Sequence, residues 1–331
     1  MSNQLTGVVE IDEFLSAERI DLSYFSVWLS KEYRVYQELY CDETEFSDLS
    51  FGLIDANGKF CLALVSRDID RDGLVTLSNW GAPVLIVCQP GFALSKAFQK
   101  EFVGRFRTHS SNHNIVLWDA MFGGVISPLA MTFLTNDTDF KVAVTPRIED
   151  VLDLGDSEVE LRQGLRKSYR NLVNAGERTW QIGEYSGSES ERSRFDEFMQ
   201  LHQEAAGRIT RSSASWEYQW DRVKSGISWI MEARDEGGLV AASLFDIHGS
   251  TWDYSVSAAK RELFNNPVNH SLVWRAILRA KAQGARWFYF GESAWGGHEA
   301  ADPKLLSIMK FKRGFGGQSQ MKLELKIGTN S

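Results

Sequence analysis

The feature that most restricts this chain is an internal repeat, because two copies of one unit must each close a core of their own. The first copy begins with FGLIDANGKFCLALVS (51–66), two alternating apolar stretches around Asn57-Gly58, a dipeptide that favours a tight hairpin turn. The second begins with WIMEARDEGGLVAASLFDIHGSTWDYSVSA (229–258), which repeats the hairpin around Gly237-Gly238 and adds a strand after His248-Gly249. Each hairpin leads to an amphipathic helix, Ala93–Arg107 in the first copy and His270–Gln283 in the second. Each helix leads to a short apolar strand, and the two endings match: VLWDAMFGG (116–124) and FYFGESAWGG (288–297). Aligned on their glycines, Asp119 falls on Glu292, Phe122 on Trp295, and Gly123-Gly124 on Gly296-Gly297, all at one constant offset. The shared order of hairpin, helix and strand predicts two copies of one α/β (α+β) unit.

A chain of 331 residues has room for two domains of roughly 150 each. The line between them falls at Thr145-Pro146, where proline fixes its own backbone and disfavours helix just before it, giving domains 1–147 and 148–331. Beyond that line, 148–180 predicts a strand and then one continuous helix. This helix has its N-cap at Asp156 or Ser157, with Leu161, Leu165, Leu172 and Val173 on its apolar face, and ends near Gly176. A further helix is expected over Glu191–Gly207, with Phe195, Phe198 and Leu201 facing inward.

Composition narrows the class. With 43% apolar and 24% charged residues the chain lies far from disordered sequences. No apolar run reaches the roughly 18 residues of a membrane span, and the opening MSNQLTGVVEIDEF lacks a basic-then-apolar leader, so the expectation is a cytoplasmic protein with no integral membrane segment. Cys41, Cys61 and Cys88 are widely spaced and the six histidines form no ligand pattern, so no metal is expected. The net charge of −8 is unevenly shared: residues 1–150 hold 12 Lys+Arg against 21 Asp+Glu, and residues 151–331 hold 24 against 23. The acidic first half argues against nucleic acid wrapping the whole protein.

The closing stretch carries a resemblance. His270-Ser-Leu-Val-Trp-Arg-Ala-Ile is followed by Lys281-Ala-Gln-Gly284, a strand Trp287–Gly291, and LLSIMKFKRGFG (305–316). Together with LRKSYRN (165–171) and NWGAP (79–83), this resembles the FemAB/FemX-like branch of the GNAT superfamily over essentially the whole chain, most strongly over 160–316. The resemblance implies two tandem GNAT-like (acyl-CoA N-acyltransferase) domains with mixed central sheets. It also implies an acyltransferase moving an acyl or aminoacyl group to an amine, with acyl-CoA or aminoacyl-tRNA as co-substrate. The sequence departs from the coenzyme-A type at AAKRELFNNPVNH (258–270): no glycine-rich pyrophosphate loop precedes the helix, which leaves the helix N-terminus at Asn269 and His270 as the place for a phosphate.

Acyl transfer needs a neutral nucleophile, stabilisation of a tetrahedral oxyanion and protonation of the leaving group. No nucleophile elbow or reactive-cysteine motif is present, so direct attack without an acyl-enzyme is expected. The oxyanion would be held by a backbone N–H of the strand 251–257 or by a cation, and the resemblance, through its Phe-Lys position, puts Lys312 first for that cation. Glu292, at the end of its strand, is the candidate base and Asp253 its competitor; Tyr254 could protonate the leaving group. Strict alternation puts Trp252, Tyr254 and Val256 on one face and Asp253, Ser255 and Ser257 on the other. For the acceptor, Arg166 and Arg170 share a helix face beside Lys167 and could grip a diphosphate or carboxylate. Arg211 and Trp216 offer a cation and an aromatic face for a sugar or base, and Asp119 could reach the same cleft.

The expected partner is an anionic small-molecule or lipid-linked acceptor from the cell envelope or a polysaccharide precursor, with tRNA as a second partner class. The alternatives are an aminoacyl-tRNA-dependent peptidoglycan bridge transferase and a non-catalytic binding module of the same fold.

Overall fold

The computed structural model describes residues 8–9, 31–82, 84–88, 115–119, 140–263, 266–293 and 303–329, with short pieces between 91 and 105. They fall into two compact units, one taking the described residues within 1–21, 31–147 and 321–331, the other those within 148–320. Most of the expected helix 93–107 lies outside the described residues, as do Pro83, Phe122, Gly123, Gly124, Trp295, Gly296 and Gly297.

The first unit is built on β3 (Phe51–Ile54), β4 (Phe60–Leu64), β7 (Val84–Cys88) and β8 (Ile115–Asp119). The hairpin β3–β4 turns at Asn57-Gly58, with Gly58 at φ +74°. β4 pairs antiparallel with β7, β7 pairs parallel with β8, and β8 pairs antiparallel with residues 323–327 of β15 (Gln318–Thr329). β1 (Val8–Val9) extends this order beside β3. β2 (Glu45–Asp48), β5 (Ser66–Ile69) and β6 (Val75–Ser78) form a second ribbon, against which α1 (Lys31–Tyr40) closes through the Arg34–Asp48 ion pair at 3.1 Å.

The second unit repeats this ladder. β11 (Ser228–Asp235) and β12 (Gly238–His248) form the antiparallel hairpin, β12 pairs antiparallel with β13 (Thr251–Ala259), and β13 pairs parallel with β14 (Trp287–Ser293). β14 then pairs antiparallel with residues 148–153 of β9 (Phe140–Asp153), and β10 (Gln181–Tyr185) lines the far side of β11. The closing strand is where the copies differ. The second unit is closed from its own beginning, the first from the end of the chain, so residues 323–327, grouped by sequence with the second domain, pair in the first unit.

Two helical layers cover the second sheet. On one face α3 (Lys167–Thr179) and α6 (Val268–Ala282) bury Met231, Phe245, Trp252, Phe288 and Phe290. On the other α4 (Arg192–Ala206) and α5 (Ser213–Lys224) bury Ile230, Leu244 and Val256 against Phe195, Phe198 and Trp216. Strict alternation along β13 therefore fails. Leu244 pairs with Val256 but Phe245 pairs with Tyr254, so Ser255 is an inserted residue, and the bulge sends Val256 to the face opposite Trp252.

The continuous helix expected from Ser157 to Gly176 is broken. The Ser157/Glu160 capping box starts α2 (Glu158–Gly164), but Leu165 and Arg166 are extended, with ψ 140° and 136°, before α3 begins. The cause is tertiary. The Arg166 backbone N–H donates to the Gly314 carbonyl at 2.8 Å, its guanidinium to the Lys310 carbonyl at 3.0 Å, and the Tyr169 hydroxyl to the Phe311 carbonyl at 3.1 Å. These donors satisfy carbonyls at the end of α7 (Pro303–Lys312) that a helix terminus leaves open. The glycines of the ending KRGFG are space requirements: a Cβ on Gly314 would lie 2.1 Å from the Tyr169 ring, and one on Gly316, at φ +88°, 2.8 Å from the Gly164 carbonyl oxygen.

His270 packs edge-on to Tyr169 at 4.4 Å between ring centres and to Phe311 at 5.1 Å. Burial, reinforced by the Arg166 charge, pulls its imidazole down from 6.5 to about 4, and its Nδ1 is buried without a hydrogen-bond partner. The imidazole is therefore neutral at pH 7.

Two outcomes follow from this packing. Gly314→Ala forces Tyr169 off its site and lowers unfolding free energy by roughly 1–3 kcal/mol, read from urea midpoints. For His270 the folded value lies below the unfolded one, so its contribution is complete above about 6.5 and is lost as pH falls through about 4. Between pH 7 and 4.5 the urea midpoint of His270→Phe is expected to fall less than that of the wild-type chain; equal falls would contradict the assignment.

Candidate active site in the second unit

The ladder between β13 and β14 holds three register pairs, Thr251–Trp287, Trp252–Phe288 and Asp253–Tyr289. Both strands run on, to Ala259 and Ser293, so they part after Asp253 and Tyr289. Each is irregular just past that point. β13 carries the bulge at Ser255, and β14 shifts register against β9 between Tyr289 and Gly291. A cleft between diverging parallel strands exposes backbone donors and acceptors that no neighbouring strand satisfies, which is where a carbonyl ligand can be held.

Lys312, the last residue of α7, reaches this opening. Gly291 has φ +85°, and a Cβ there would lie 3.4 Å from the Lys312 Nζ. The glycine thus serves both the backbone turn and the space for the ammonium. Burial pulls the Lys312 pKa below the usual lysine value, while the charges of Asp150, Asp253 and Glu292 act in the opposite direction. The lysine is half-buried beside three carboxylates, and it brings together two of the residues singled out from sequence, Lys312 and Glu292, with the competitor Asp253.

Asp150 was not legible as a site residue. It is fully buried, pairs in register with Gly291, and accepts from the Ser293 hydroxyl at 2.7 Å and the Ser319 hydroxyl at 2.6 Å, with Arg313 Nε 3.4 Å away.

A transverse row of polar side chains crosses the second sheet. Ser228, Asp246, Asp253 and Tyr289 are successive register partners across β11, β12, β13 and β14, and side chains directly opposite share a face. Asp246 accepts from the Ser228 hydroxyl and from Arg222 Nε at 3.1 Å. Burial acts to raise its pKa, but Arg222, His248 and the hydroxyls of Ser228 and Ser255 prevail and hold it below the usual carboxylate range. Arg211 joins this cluster: burial lowers its pKa and Asp246 opposes that. Arg222, 6% exposed, has both terminal guanidinium nitrogens buried without hydrogen-bond partners.

Other sequence candidates are placed differently. Tyr254 lies on the opposite face from Asp253, stacked on Phe245 at 5.2 Å. Burial raises its pKa, with the Ser257 and Ser243 hydroxyls acting against that, so the phenol stays protonated. Arg166 is the N-cap of α3, outside the helix, and its guanidinium lies 5.0 Å from the Tyr169 ring while bonded to Lys310; the shared face expected with Arg170 does not exist. Lys167 and Arg170 are exposed on α3. Trp216 is 2% exposed, packed on Phe195 and Phe198, with Arg211 5.6 Å above its ring; it fills the core and does not offer a stacking surface. Asn269 and His270 lie in the first turn of α6, behind Pro267 at the N-cap, and the Asn269 Oδ1 is buried without a partner. Asp119 ends β8 in the first unit, opposite Leu323. Among the described residues no group of three or more His, Cys, Asp or Glu is arranged to hold a metal ion, and no helix is long and apolar enough to cross a membrane.

No protein-family model and no curated protein matches the sequence. Solved structures do match the fold. FemX superposes with a TM-score of 0.59 at 11% identity, over 96% of this chain and 96% of that one. L-PGS from Bacillus licheniformis matches with a TM-score of 0.51 at 13% identity, covering 89% and 90%. The C-terminal domain of a putative lysylphosphatidylglycerol synthetase from Agrobacterium fabrum matches with a TM-score of 0.52 at 11% identity, covering 86% and 83%. The chain therefore has a FemX-like fold, built of two units of mixed α/β structure.

Proposed function

We propose that the protein is an acyltransferase that moves an acyl or aminoacyl group to an amine of a cell-envelope or polysaccharide precursor, by direct attack and without a covalent acyl-enzyme. The observation that carries this reading is the Lys312 ammonium placed over Gly291, at the point where β13 and β14 part. A donor carbonyl lodged in that opening meets the free backbone edge of β13 on one side and a cation on the other.

In the mechanism, Glu292 takes a proton from the attacking ammonium and the neutral amine adds to the donor carbonyl. Lys312 stabilises the oxyanion, and the leaving thiolate or alkoxide departs as the tetrahedral centre collapses, taking up the second proton that the attacking nitrogen loses. Asp253 is the second carboxylate beside the lysine and the alternative base. Tyr254 falls outside this scheme because it faces away from Asp253. Arg211, joined by Arg222 at the other end of the transverse row, supplies charge for an anionic acceptor.

For the donor, an aminoacyl ester of tRNA is favoured over acyl-CoA. Residues 258–270 contain no glycine and Pro267 occupies the N-cap of α6, a sequence that does not favour the glycine-rich backbone nest that cradles a pyrophosphate.

The test is a matrix of donors, charged tRNA and acyl-CoA, against anionic amine-bearing envelope precursors, read by mass spectrometry. Lys312→Ala is expected to lower kcat by about 10²–10³-fold with KM little changed, the loss typical of one oxyanion donor. Glu292→Gln lowers kcat most at low pH, and Arg211→Ala raises KM for the anionic acceptor. Wild-type turnover in both Lys312→Ala and Glu292→Gln would end this assignment; binding of neither donor class would favour a non-catalytic module.

A further inference from the structure

We infer that Asp150 is the positioning residue of the site: held rigid by Ser293, Ser319 and Arg313, it anchors the Lys312 ammonium in the notch left by Gly291. The inference rests on the acyltransferase reading for its consequence, but its geometry stands apart from it.

The argument is one of placement. Asp150 and Gly291 are cross-strand partners on β9 and β14, and Nζ of Lys312 lies over that glycine. The carboxylate cannot turn away, because each oxygen is held by a hydroxyl, Oδ2 by Ser293 at 2.7 Å and Oδ1 by Ser319 at 2.6 Å. Arg313, the residue after Lys312, brings Nε to 3.4 Å of the same Oδ2. One fully buried carboxylate therefore ties together β9, β14, the start of β15 and the end of α7, the four elements around the lysine. A carboxylate wanted only as a counter-charge could sit anywhere within a few ångströms. One held by two hydroxyls and an ion pair keeps its charge in one place, across the strand pair from the notch in which the ammonium lies.

The charge balance points the same way. Desolvation favours a neutral Lys312, and Asp150 is the largest of the charges opposing it, ahead of Asp253 and Glu292. A protonated lysine can stabilise an oxyanion, while a neutral one cannot.

Competitive acetic-anhydride labelling with mass-spectrometric readout tests this on the full chain. In Asp150→Asn, Lys312 is expected to label about tenfold faster at neutral pH, the equivalent of one unit of pKa, while exposed Lys310 keeps its wild-type rate. The pH profile of kcat then moves to lower pH on its alkaline side, with KM unchanged. Ser319→Ala covers the case in which Asp150→Asn fails to fold: Ser319 is exposed, so the fold is kept, and the freed carboxylate is expected to lower kcat several-fold and to change Lys312 labelling but not that of Lys310. Unaltered Lys312 labelling in every folded variant overturns the inference. Altered labelling with unaltered turnover upholds the anchor and removes Lys312 from the chemistry, so the two readings fail separately.

Discussion

β13 and β14 hold each other through three register pairs and then run on separately, and the peptide groups released along their facing edges must find other partners. Each unmade buried hydrogen bond costs on the order of 1–3 kcal/mol, so a parting of this kind persists only where the surroundings enforce it. Here both strands carry an irregularity just past the parting, Ser255 on one and the shift around Phe290 on the other, and each bulge is locked by packed neighbours. Val256 is driven into the core under α4 and α5, while Phe290 is driven into the core under α3 and α6. The two hydrophobic layers thus pull the strands apart in opposite directions, and the opening is a consequence of side chains satisfied elsewhere.

What fills that opening is decided by electrostatics. A half-buried ammonium is disfavoured by lost hydration, and only the carboxylates around Lys312 offset this. Those carboxylates are not scattered. Asp253 continues into Asp246 across the ladder, Asp246 is neutralised by Arg222, and Arg211 lies beyond it, so charges alternate along one face of the sheet. An acceptor with an anionic group and an amine has complementary charges at the two ends of this row, which favours one orientation over its reverse. Orientation of this kind is worth more to a direct transfer than tight binding, since uniform binding does not lower the barrier.

The parts of this arrangement legible in the sequence are those written in local pattern. Asn57-Gly58 and Gly237-Gly238 announce their hairpins because positive φ is available to few residues, and the order hairpin, helix, strand gave away the duplication. The break at Leu165-Arg166 was invisible, because it answers to carbonyls at Lys310, Phe311 and Gly314, nearly 150 positions away. The Ser255 bulge was hidden for a similar reason: it depends on the register of β12, and a period-2 pattern cannot show one inserted residue. Trp216 reads as a stacking platform until its neighbours Phe195 and Phe198 close over it. Asp150 escaped notice because nothing near it in sequence is catalytic; Gly291, Ser293 and Ser319 meet it only in three dimensions.

The duplication also allows the two copies to be compared at the opening. At the constant offset that relates the repeats, Gly291 falls on Trp118 and Glu292 on Asp119. The cross-strand partner of Gly291 is Asp150, and that of Trp118 is Glu324, so an acid stands opposite in both units. The copies differ at the glycine and in the parallel pair, since β7 and β8 are paired at Leu117, Trp118 and Asp119, the positions that correspond to Phe290, Gly291 and Glu292 beyond the parting of β13 and β14. A notch for an ammonium requires a residue with no side chain and a backbone free to adopt positive φ, and tryptophan meets neither condition. The first unit keeps the ladder, the parallel pair and the acidic strand end, but has tryptophan in the sequence where the second unit has Gly291. With β7 and β8 still paired there, the opening between β13 and β14 has no counterpart at the same positions of the first unit.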